Sequence, residues 1–534
     1  MRRHHHGQLV TLAVTAGSRQ TIVGCAALLL LSCLALIGAY KLADSYIDRL
    51  PDHRGFHLVA VQNQVVISPQ TKPRRLVLVV VDGLRQDSAR QMRSVARLQA
   101  AGQCRPTHTG PITISRPVYA VISTGLEQDR TGSRNNDDTS PIAVQSIWDV
   151  AHEAGIKVHA ASNLEWWQEL FPGAFNTYDF DLDERRDFFA IEHLSALSLI
   201  HPLRVDTAGH SFGAASSEYR DAVAIVDSEL ETFLDAIDLK QDIVIVTADH
   251  GHSNAGGHGG PADEIANVLT CFAGIGILPS TSNVPTDSRI IAPTISVLLG
   301  LPFPKHMRAG DDNLGQIWSI ADEEQLGTTY VAERTATIEE FRAANAVAAG
   351  TILGQETSSW SAVYAQGKRR HTLSWLGVSL ALAILLFVLS RIRKQSFTEF
   401  LATLLWVAIG STLSCLLYTW LRGSFDFTSI NKREEFLNSS LGAAISMGFA
   451  AILIHLVIWR DLRKLLLDQY TQLLVLAVVS LAHPLIYGIT LGFPLPGPTA
   501  IFLPFILGAL VIACAALGTL VCIVVLFRAL RNRC

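Results

Sequence analysis

The sequence predicts an α/β domain, with a mostly parallel sheet flanked by helices, joined to an all-α transmembrane region. Residues 76–81 form a continuous apolar run without alternation, which is typical of a strand buried on both faces. Helical patterns alternate with such runs along the chain, as in α/β domains. Long apolar segments at both ends of the chain predict the transmembrane region.

The elements of the α/β domain follow in order. After the strand at 76–81, helical periodicity covers residues 87–101. A second strand is predicted at 157–161, a second helix at 217–237 and a third strand at 243–247. Strands that alternate with helices indicate a largely parallel sheet with helices on both sides. Polar residues at the strand ends are therefore the first candidates for a functional site.

Composition restricts the class of protein. The chain has 534 residues, of which 49% are hydrophobic and only 17% are charged. The charges concentrate before about residue 370. The formal net charge is -4, so the chain has no excess of basic residues, which argues against nucleic acid as a partner.

Two regions have the length and apolar character of membrane-spanning helices. Residues 21–40 follow Arg2, Arg3 and Arg19 and resemble an uncleaved signal anchor, with a cleavable signal peptide as the alternative. After residue 371, further apolar segments lie at 373–390, 400–421, 441–459, 473–490 and 500–527. Arginine and lysine residues concentrate in alternate loops between these segments, as expected for loops on the cytoplasmic side.

This pattern predicts the domain organisation. Lys368, Arg369 and Arg370 fall on the external side of it and disagree with the predicted orientation, whereas the other loops agree with one another. The α/β domain is predicted on the extracytoplasmic side, periplasmic or luminal. The predicted parts are a cytoplasmic N-terminus at 1–20, an anchor helix at 21–40, the α/β domain at 41–310, a helical extension at 311–371 and a membrane domain of about five helices at 372–534.

The cysteines do not form a disulfide framework. Six of the 8 lie in or beside the apolar spans, which leaves Cys104 and Cys271 in the polar part of the chain. A bridge between these two is possible, but Cys271 lies in a strand-like run at 268–277. We therefore expect buried, unreactive thiols rather than a disulfide.

Asp249 and His250 end a buried apolar run, and a glycine-rich loop that could fold back over the strand end leads from them to His258. Carboxylate and imidazole groups at the carboxyl end of a parallel strand are suitable ligands for borderline metals. Taken singly, these residues could equally belong to a glycine-rich turn with solvated histidines. The loop is therefore a candidate metal site.

Further polar residues match this candidate site. Each has an ordinary alternative: Asp82 as a turn residue, Ser115 as a helix N-cap and His210 as a surface histidine. Asp206 and His210 occur in the string Asp-Thr-Ala-Gly-His. Together with Asp249, His250 and His258, these residues are a suitable ligand set for two divalent ions about 4 Å apart.

The motifs, taken together, resemble the alkaline phosphatase superfamily, specifically its phosphodiesterase and glycosylphosphatidylinositol (GPI) ethanolamine phosphate transferase branch. The resemblance extends from about residue 75 to 310. It rests on the strings Val81-Asp82-Gly83, Ser115-Arg116-Pro117, Asp206-Thr207-Ala208-Gly209-His210 and Asp249-His250-Gly251. The short spacing to His258 resembles the transferases more than the nucleotide pyrophosphatases.

The resemblance implies an alkaline-phosphatase-like fold and two divalent metal ions, expected to be zinc. It implies that one ion is held by Asp82, Ser115, Asp249 and His250, and the other by Asp206, His210 and His258. His252 is an alternative ligand, although its place two residues after His250 does not match the family position.

The resemblance also implies an activity. Ser115 would be the nucleophile and would carry a phosphoserine-type intermediate, with Asn136, or its neighbour Asn135, in contact with a phosphate oxygen. The expected reaction moves a phosphoethanolamine-type group from a phospholipid donor to a glycan or glycolipid acceptor at a membrane. The alternatives are a metal-dependent phosphodiesterase or nucleotide pyrophosphatase that uses water, and an inactive membrane scaffold or transport protein. The oligomeric state stays open.

Overall fold

The computed structural model describes residues 60–61, 66, 72–110, 112–133, 136, 139–260, 262–281, 283–307 and 336. The predicted membrane segments, and the predicted extension at 311–371 apart from Ala336, lie outside these residues. Among the described residues, no helix combines the length and the apolar character that crossing a membrane requires.

In the described part of the chain, eight strands form one sheet in the order β4-β3-β5-β1-β6-β7-β2-β8. Neighbouring strands from β4 to β6 pair in parallel, as do β2 and β8, whereas β7 is antiparallel to both β6 and β2. The predicted mostly parallel sheet is therefore confirmed, with an antiparallel corner. The strands are β1 (Arg75–Val80), β2 (Gly102–His108), β3 (Val158–Ser162), β4 (Thr177–Phe180), β5 (Leu197–His201), β6 (Asp242–Thr247), β7 (Asn267–Gly274) and β8 (Thr286–Asp287).

Helices connect the strands. Two 3₁₀ helices cover Ile191–His193 and Ser288–Ile290. The α-helices of the described residues are α1 (Gln86–Ala89), α2 (Arg93–Ala101), α3 (Ser115–Thr124), α4 (Gln128–Thr131), α5 (Ile147–Glu153), α6 (Trp166–Leu170), α7 (Arg204–Phe212), α8 (Ser217–Ala236), α9 (Asp263–Ala266) and α10 (Ile291–Leu299).

The prediction of one helix over residues 87–101 is wrong, because the chain forms two helices there. Met92 has an extended conformation, with ψ 137°, and separates α1 from α2. The carboxylate of Asp227, on α8, accepts hydrogen bonds from the backbone N–H groups of Arg93 and Ser94, each at 2.9 Å. These contacts satisfy the first amide groups of α2, so a distant residue fixes where that helix begins.

β1 lies in the middle of the sheet and is buried on both faces, as its apolar sequence predicts. Leu76, Leu78 and Val80 belong to the core on one face, and Val77 and Val79 belong to the core on the other. All five are completely buried. Since alternate side chains of a strand point to opposite faces, β1 joins the two hydrophobic layers.

The amino-terminal ends of β1 and β6 are joined by charges. The carboxylate of Asp242 accepts hydrogen bonds from Arg74 Nε and Nη2, at 2.9 and 2.6 Å, and from Arg75 Nη2 at 3.1 Å. The Asp242 side chain is fully buried, while Arg74 is half exposed. Burial would raise the pKa of Asp242, but the two arginines outweigh it and hold this pKa below its ordinary value.

The expectation of free thiols is wrong, because Cys104 and Cys271 form a disulfide. The two residues are direct partners in the antiparallel pairing of β2 with β7, and their Cα atoms are 3.9 Å apart. The strand-like run that suggested a buried thiol is thus the element that presents Cys271 to Cys104. The bridge joins positions 167 residues apart in sequence.

Candidate active site

Polar residues follow three neighbouring strands of the sheet. Asp82 comes shortly after β1, Asp249 and His250 follow β6, and Asp206 lies in α7, just after β5. Since β5, β1 and β6 are adjacent and parallel, their carboxyl ends meet at one edge of the sheet. This topology brings together side chains that are far apart in sequence.

One cluster contains Asp82, Asp249, His250 and Ser115. His250 Nε2 lies 3.4 Å from Asp82 Oδ1 and 3.1 Å from Asp249 Oδ2. Ser115 Oγ lies 3.2 Å from the same nitrogen. Ser115 is the first residue of α3 and Ile114 is its N-cap, so the ordinary N-cap interpretation of Ser115 does not apply. The structure therefore brings together the four residues expected to share one metal ion.

Two oxygen atoms of this cluster lack hydrogen-bond partners. Asp82 Oδ1 and Asp249 Oδ2 are buried and accept no hydrogen bond. The other oxygen of each carboxylate is occupied: Asp82 Oδ2 accepts from the Tyr119 hydroxyl at 2.5 Å, and Asp249 Oδ1 accepts from the Gly83 N–H at 3.2 Å. An unpaired buried carboxylate oxygen is costly unless a cation satisfies it. The donor set therefore fits a metal ion.

A second cluster contains Asp206, His210 and His258. Asp206 Oδ1 lies 3.5 Å from His210 Nε2 and 3.6 Å from His258 Nε2, and these two nitrogens are 3.1 Å apart. His252 Nε2 also approaches Asp206 Oδ1, at 2.8 Å. The candidate ligand atoms of this cluster all lie within 4.8 Å of one another. One carboxylate and convergent imidazoles suit a borderline ion such as zinc.

The glycine-rich loop after Asp249 folds back as its composition allows. The rings of His250 and His258 stack with their centroids 3.5 Å apart, so the loop brings the two clusters side by side. In both rings Nδ1 faces a backbone carbonyl oxygen: that of Gly251 at 3.2 Å for His250, and that of Thr113 at 2.5 Å for His258. An N–H that donates to a carbonyl leaves the Nε2 lone pair free for a metal.

The carboxylates of the two clusters repel one another. Burial, together with the negative charges of Asp82 and Asp206, raises the pKa of Asp249 well above its ordinary value. Burial and the charge of Asp82 likewise raise the pKa of Asp206 to about 7. Burial lowers the pKa of His250 to about 4, so this ring is neutral at physiological pH. Neutral imidazoles beside crowded carboxylates leave a shortage of positive charge at this edge.

The remaining predicted residue, Asn136, lies beside the start of α3. The Arg116 N–H donates to Asn136 Oδ1 at 3.0 Å, which places Asn136 beside Ser115. The Arg116 guanidinium pairs with Glu169 and lies 4.7 Å from the centre of the Trp166 ring. Asn135 lies outside the described residues, so the structure does not compare the two asparagines.

Sequence reasoning missed two residues beside the first cluster. His201 Nε2 lies 3.1 Å from Asp82 Oδ2, and the Tyr119 hydroxyl contacts both, at 2.8 Å from His201 Nε2. His201 Nδ1 in turn lies 2.9 Å from Ser162 Oγ. A signal existed for His201, because it follows the mainly apolar segment Leu197-Ser198-Leu199-Ile200, much as Asp249 follows the run at 243–246. Tyr119 carried no comparable signal.

Known proteins that are similar to this chain belong to the family that its motifs predict. Residues 76–267 match the family model described as type I phosphodiesterase / nucleotide pyrophosphatase. The catalytic subunit of human GPI ethanolamine phosphate transferase 3 is 26% identical over 273 residues, which cover 43% of this chain and 25% of the relative. GPI ethanolamine phosphate transferase 3 of Schizosaccharomyces pombe is 32% identical over 134 residues, covering 24% of this chain and 14% of the relative.

This chain spans only a quarter to a third of the mouse and human relatives, between 24% and 33% of their length. Among solved structures, human ectonucleotide pyrophosphatase / phosphodiesterase 5 matches with a TM-score of 0.38 and 13% identity, over 46% of this chain and 100% of that protein. The family resemblance predicted from the motifs is confirmed: residues 76–267 match the type I phosphodiesterase / nucleotide pyrophosphatase family, and GPI ethanolamine phosphate transferases are relatives of this chain.

Proposed function

We propose that this protein is a membrane-bound, metal-dependent transferase that moves a phosphoethanolamine-type group from a phospholipid to a glycan or glycolipid of the GPI type. The observation that carries the proposal is the position of Ser115 Oγ, 3.2 Å from His250 Nε2, beside two buried carboxylate oxygens that accept no hydrogen bond. A hydroxyl at the start of a buried helix and next to such a ligand set is suited to nucleophilic attack.

Two divalent ions, zinc by their ligand chemistry, belong to the proposal. Asp82, Ser115, Asp249 and His250 would hold one. Asp206, His210 and His258 would hold the other. When bound, such ions lower the pKa of a coordinated hydroxyl and neutralise charge on phosphoryl oxygens.

The proposed reaction has two displacement steps. In the first, Ser115 Oγ forms a bond to phosphorus while the bond from phosphorus to the glycerol oxygen of the lipid breaks, and the serine proton is transferred to that leaving oxygen. In the second, a hydroxyl of the acceptor forms a bond to phosphorus, the serine–phosphorus bond breaks, and a proton returns to Ser115. Asn136 would donate from its amide nitrogen to a phosphoryl oxygen, since its Oδ1 already accepts from the Arg116 N–H.

The choice of transfer over hydrolysis rests on two observations. The curated relatives are GPI ethanolamine phosphate transferases, and the sequence contains apolar segments suited to holding a catalytic domain at a lipid surface. The domain organisation therefore stays part of the proposal: an anchor at 21–40, a catalytic domain at 41–310, an extension at 311–371 and a membrane domain at 372–534. A phosphodiesterase that uses water is the second candidate, favoured by the family model that matches residues 76–267.

An extracytoplasmic location for the catalytic domain is also part of the proposal. The disulfide between Cys104 and Cys271 supports it, because disulfides form and persist in oxidising compartments and are rare in the cytosol.

The decisive experiment supplies the purified full-length protein with phosphatidylethanolamine labelled in its head group and with a GPI-type glycolipid. We expect label on Ser115 that then passes to the glycolipid, and no label on the Ser115→Ala variant. Release of free phosphoethanolamine alone, from wild type but not from Ser115→Ala, would instead establish a phosphodiesterase. No turnover by a protein that retains its metal would support the inactive scaffold.

A further inference from the structure

We infer that His252 is a positioning residue which donates a hydrogen bond to Asp206 and holds that carboxylate for the second metal ion, and that it is not itself a ligand. His252 lies in the second cluster by distance alone, since its Nε2 is 2.8 Å from Asp206 Oδ1. Distance therefore does not distinguish a ligand from a donor. The direction of the hydrogen bonds does. The inference rests on the metal sites of the proposed function.

The other ring nitrogen of His252 decides the direction. The backbone N–H of Gly257 donates to His252 Nδ1 at 3.1 Å. An imidazole nitrogen that accepts a hydrogen bond carries no proton, so the proton of the neutral ring is on Nε2. Nε2 therefore donates to Asp206 Oδ1, and it has no lone pair to offer a metal.

His250 and His258 show the opposite arrangement. Their Nδ1 atoms face the carbonyl oxygens of Gly251 and Thr113, at 3.2 and 2.5 Å. Carbonyl oxygens only accept, so in these rings Nδ1 carries the proton and Nε2 has a free lone pair. In this one loop, hydrogen bonds to the backbone therefore leave Nε2 of His250 and His258 free to bind a metal, and they make Nε2 of His252 a hydrogen-bond donor.

Two glycines and a tyrosine pack closely around the His252 ring. A Cβ built on Gly209 would overlap the His252 ring, and a Cβ on Gly83 would lie 2.9 Å from His252 Cδ2. The ring is fully buried and makes an edge contact with Tyr219, with centroids 6.2 Å apart. Gly209 lies between Asp206 and His210 in the chain, and its lack of a side chain leaves space for the His252 ring.

A fixed donor has a clear consequence for the metal. Hydrogen-bond partners behind a ligand set its orientation, and their removal typically weakens metal binding about 10–100-fold while the metal stays at its site. Removal of a true ligand instead costs the site its ion. Zinc binding therefore separates the two roles without any phospholipid or acceptor.

The test measures zinc binding by the purified full-length protein and three variants, His252→Ala, His252→Gln and His258→Ala. We expect His252→Ala to keep two zinc ions at saturating Zn²⁺ but to bind the second about 10–100-fold more weakly. His252→Gln, whose amide can still donate to Asp206, is expected to recover most of that loss. His258→Ala is expected to lose the second zinc ion.

X-ray absorption of the wild type loaded with zinc supplies a readout that does not depend on any variant folding. Three imidazole ligands per pair of zinc ions, from His210, His250 and His258, would support the inference, and four would overturn it. Loss of a zinc ion in His252→Ala, an unchanged affinity, or a wild type that holds no second zinc ion would also overturn it. A wild type that binds two zinc ions but transfers no head group would contradict the proposed function alone.

Discussion

Ser115 Oγ and His250 Nε2 lie 3.2 Å apart, although 135 residues separate them in the chain. The contact joins the first residue of α3 to a residue that follows β6 at the carboxyl edge of the sheet. It aligns the expected nucleophile with the first cluster.

Replacing Ser115 with alanine tests the role of this hydroxyl. We expect head-group transfer to fall by at least about a thousand-fold, since removal of a nucleophile typically costs that much or more. Transfer measured with labelled phosphatidylethanolamine checks the prediction, and Ser228→Ala, at an exposed position of α8, is the matched control. Equal transfer by Ser115→Ala and wild type would show that the nucleophile is another group.

Tyr119→Phe tests the support behind Asp82. The Tyr119 hydroxyl donates to Asp82 Oδ2 at 2.5 Å, and phenylalanine keeps the buried ring, which stacks on Trp167 with centroids 4.2 Å apart. We expect the variant to fold and to bind zinc at the first cluster about 10-fold or more weakly. Zinc titration against a competing chelator measures this change. An affinity equal to that of the wild type would show that His201 alone orients Asp82.

Reduction of the disulfide tests its contribution to stability. Cys104 and Cys271 close a loop with a sequence separation of 167, and a bridge of this kind stabilises a protein by about 2–4 kcal/mol. We expect a reductant to lower the thermal unfolding midpoint of the wild type. The double variant Cys104→Ala/Cys271→Ala is expected to have a lowered midpoint that the reductant leaves unchanged. A wild-type midpoint that the reductant leaves unchanged would contradict the prediction.

Asp242→Asn tests the ion pairs at the amino-terminal ends of β1 and β6. Hydrogen bonds to charged groups contribute about 2 kcal/mol, so we expect a loss of this order at neutral pH. Because the folded-state pKa of Asp242 is lowered, its stabilisation is present above the unfolded-state pKa of about 4 and is lost as the pH falls through the folded-state value.

Thermal unfolding of wild type and Asp242→Asn across pH 3–7 measures the difference, which we expect to narrow below about pH 4. Asp235→Asn is the control, because Asp235 pairs with Arg97 at 2.8 Å on an exposed surface where such pairs contribute little. A difference that stayed constant to pH 3 would mean that the charge of Asp242 is not the stabilising feature.

Much of the candidate site was predictable because it depends on local patterns. A continuous apolar run predicts β1, and the polar residues after it and after β6 are the ones that meet at the sheet edge. The family resemblance implies that Asp206 and His258 hold the same ion, and both residues lie in the second cluster.

The remainder depends on contacts that no local pattern contains. The break between α1 and α2 follows from Asp227, which is 134 residues from Arg93. The disulfide follows from the register of β2 against β7, which brings Cys104 opposite Cys271. The inferred donor role of His252 follows from the hydrogen bond that the Gly257 N–H donates to its Nδ1, and no pattern in the sequence predicts the direction of that N–H.

The crowding of Asp82, Asp206 and Asp249 has a thermodynamic consequence for maturation. Burial and the negative charge of Asp82 raise the pKa of both Asp206 and Asp249, which is a source of frustration when no ion is bound, and this crowding lies at the end of the sheet opposite the Asp242 ion pairs. Ions bound there would relieve that frustration, so metal affinity and folding free energy become one linked quantity. The free concentration of metal in the compartment where the chain matures would then set both how much of it is active and how much of it is folded.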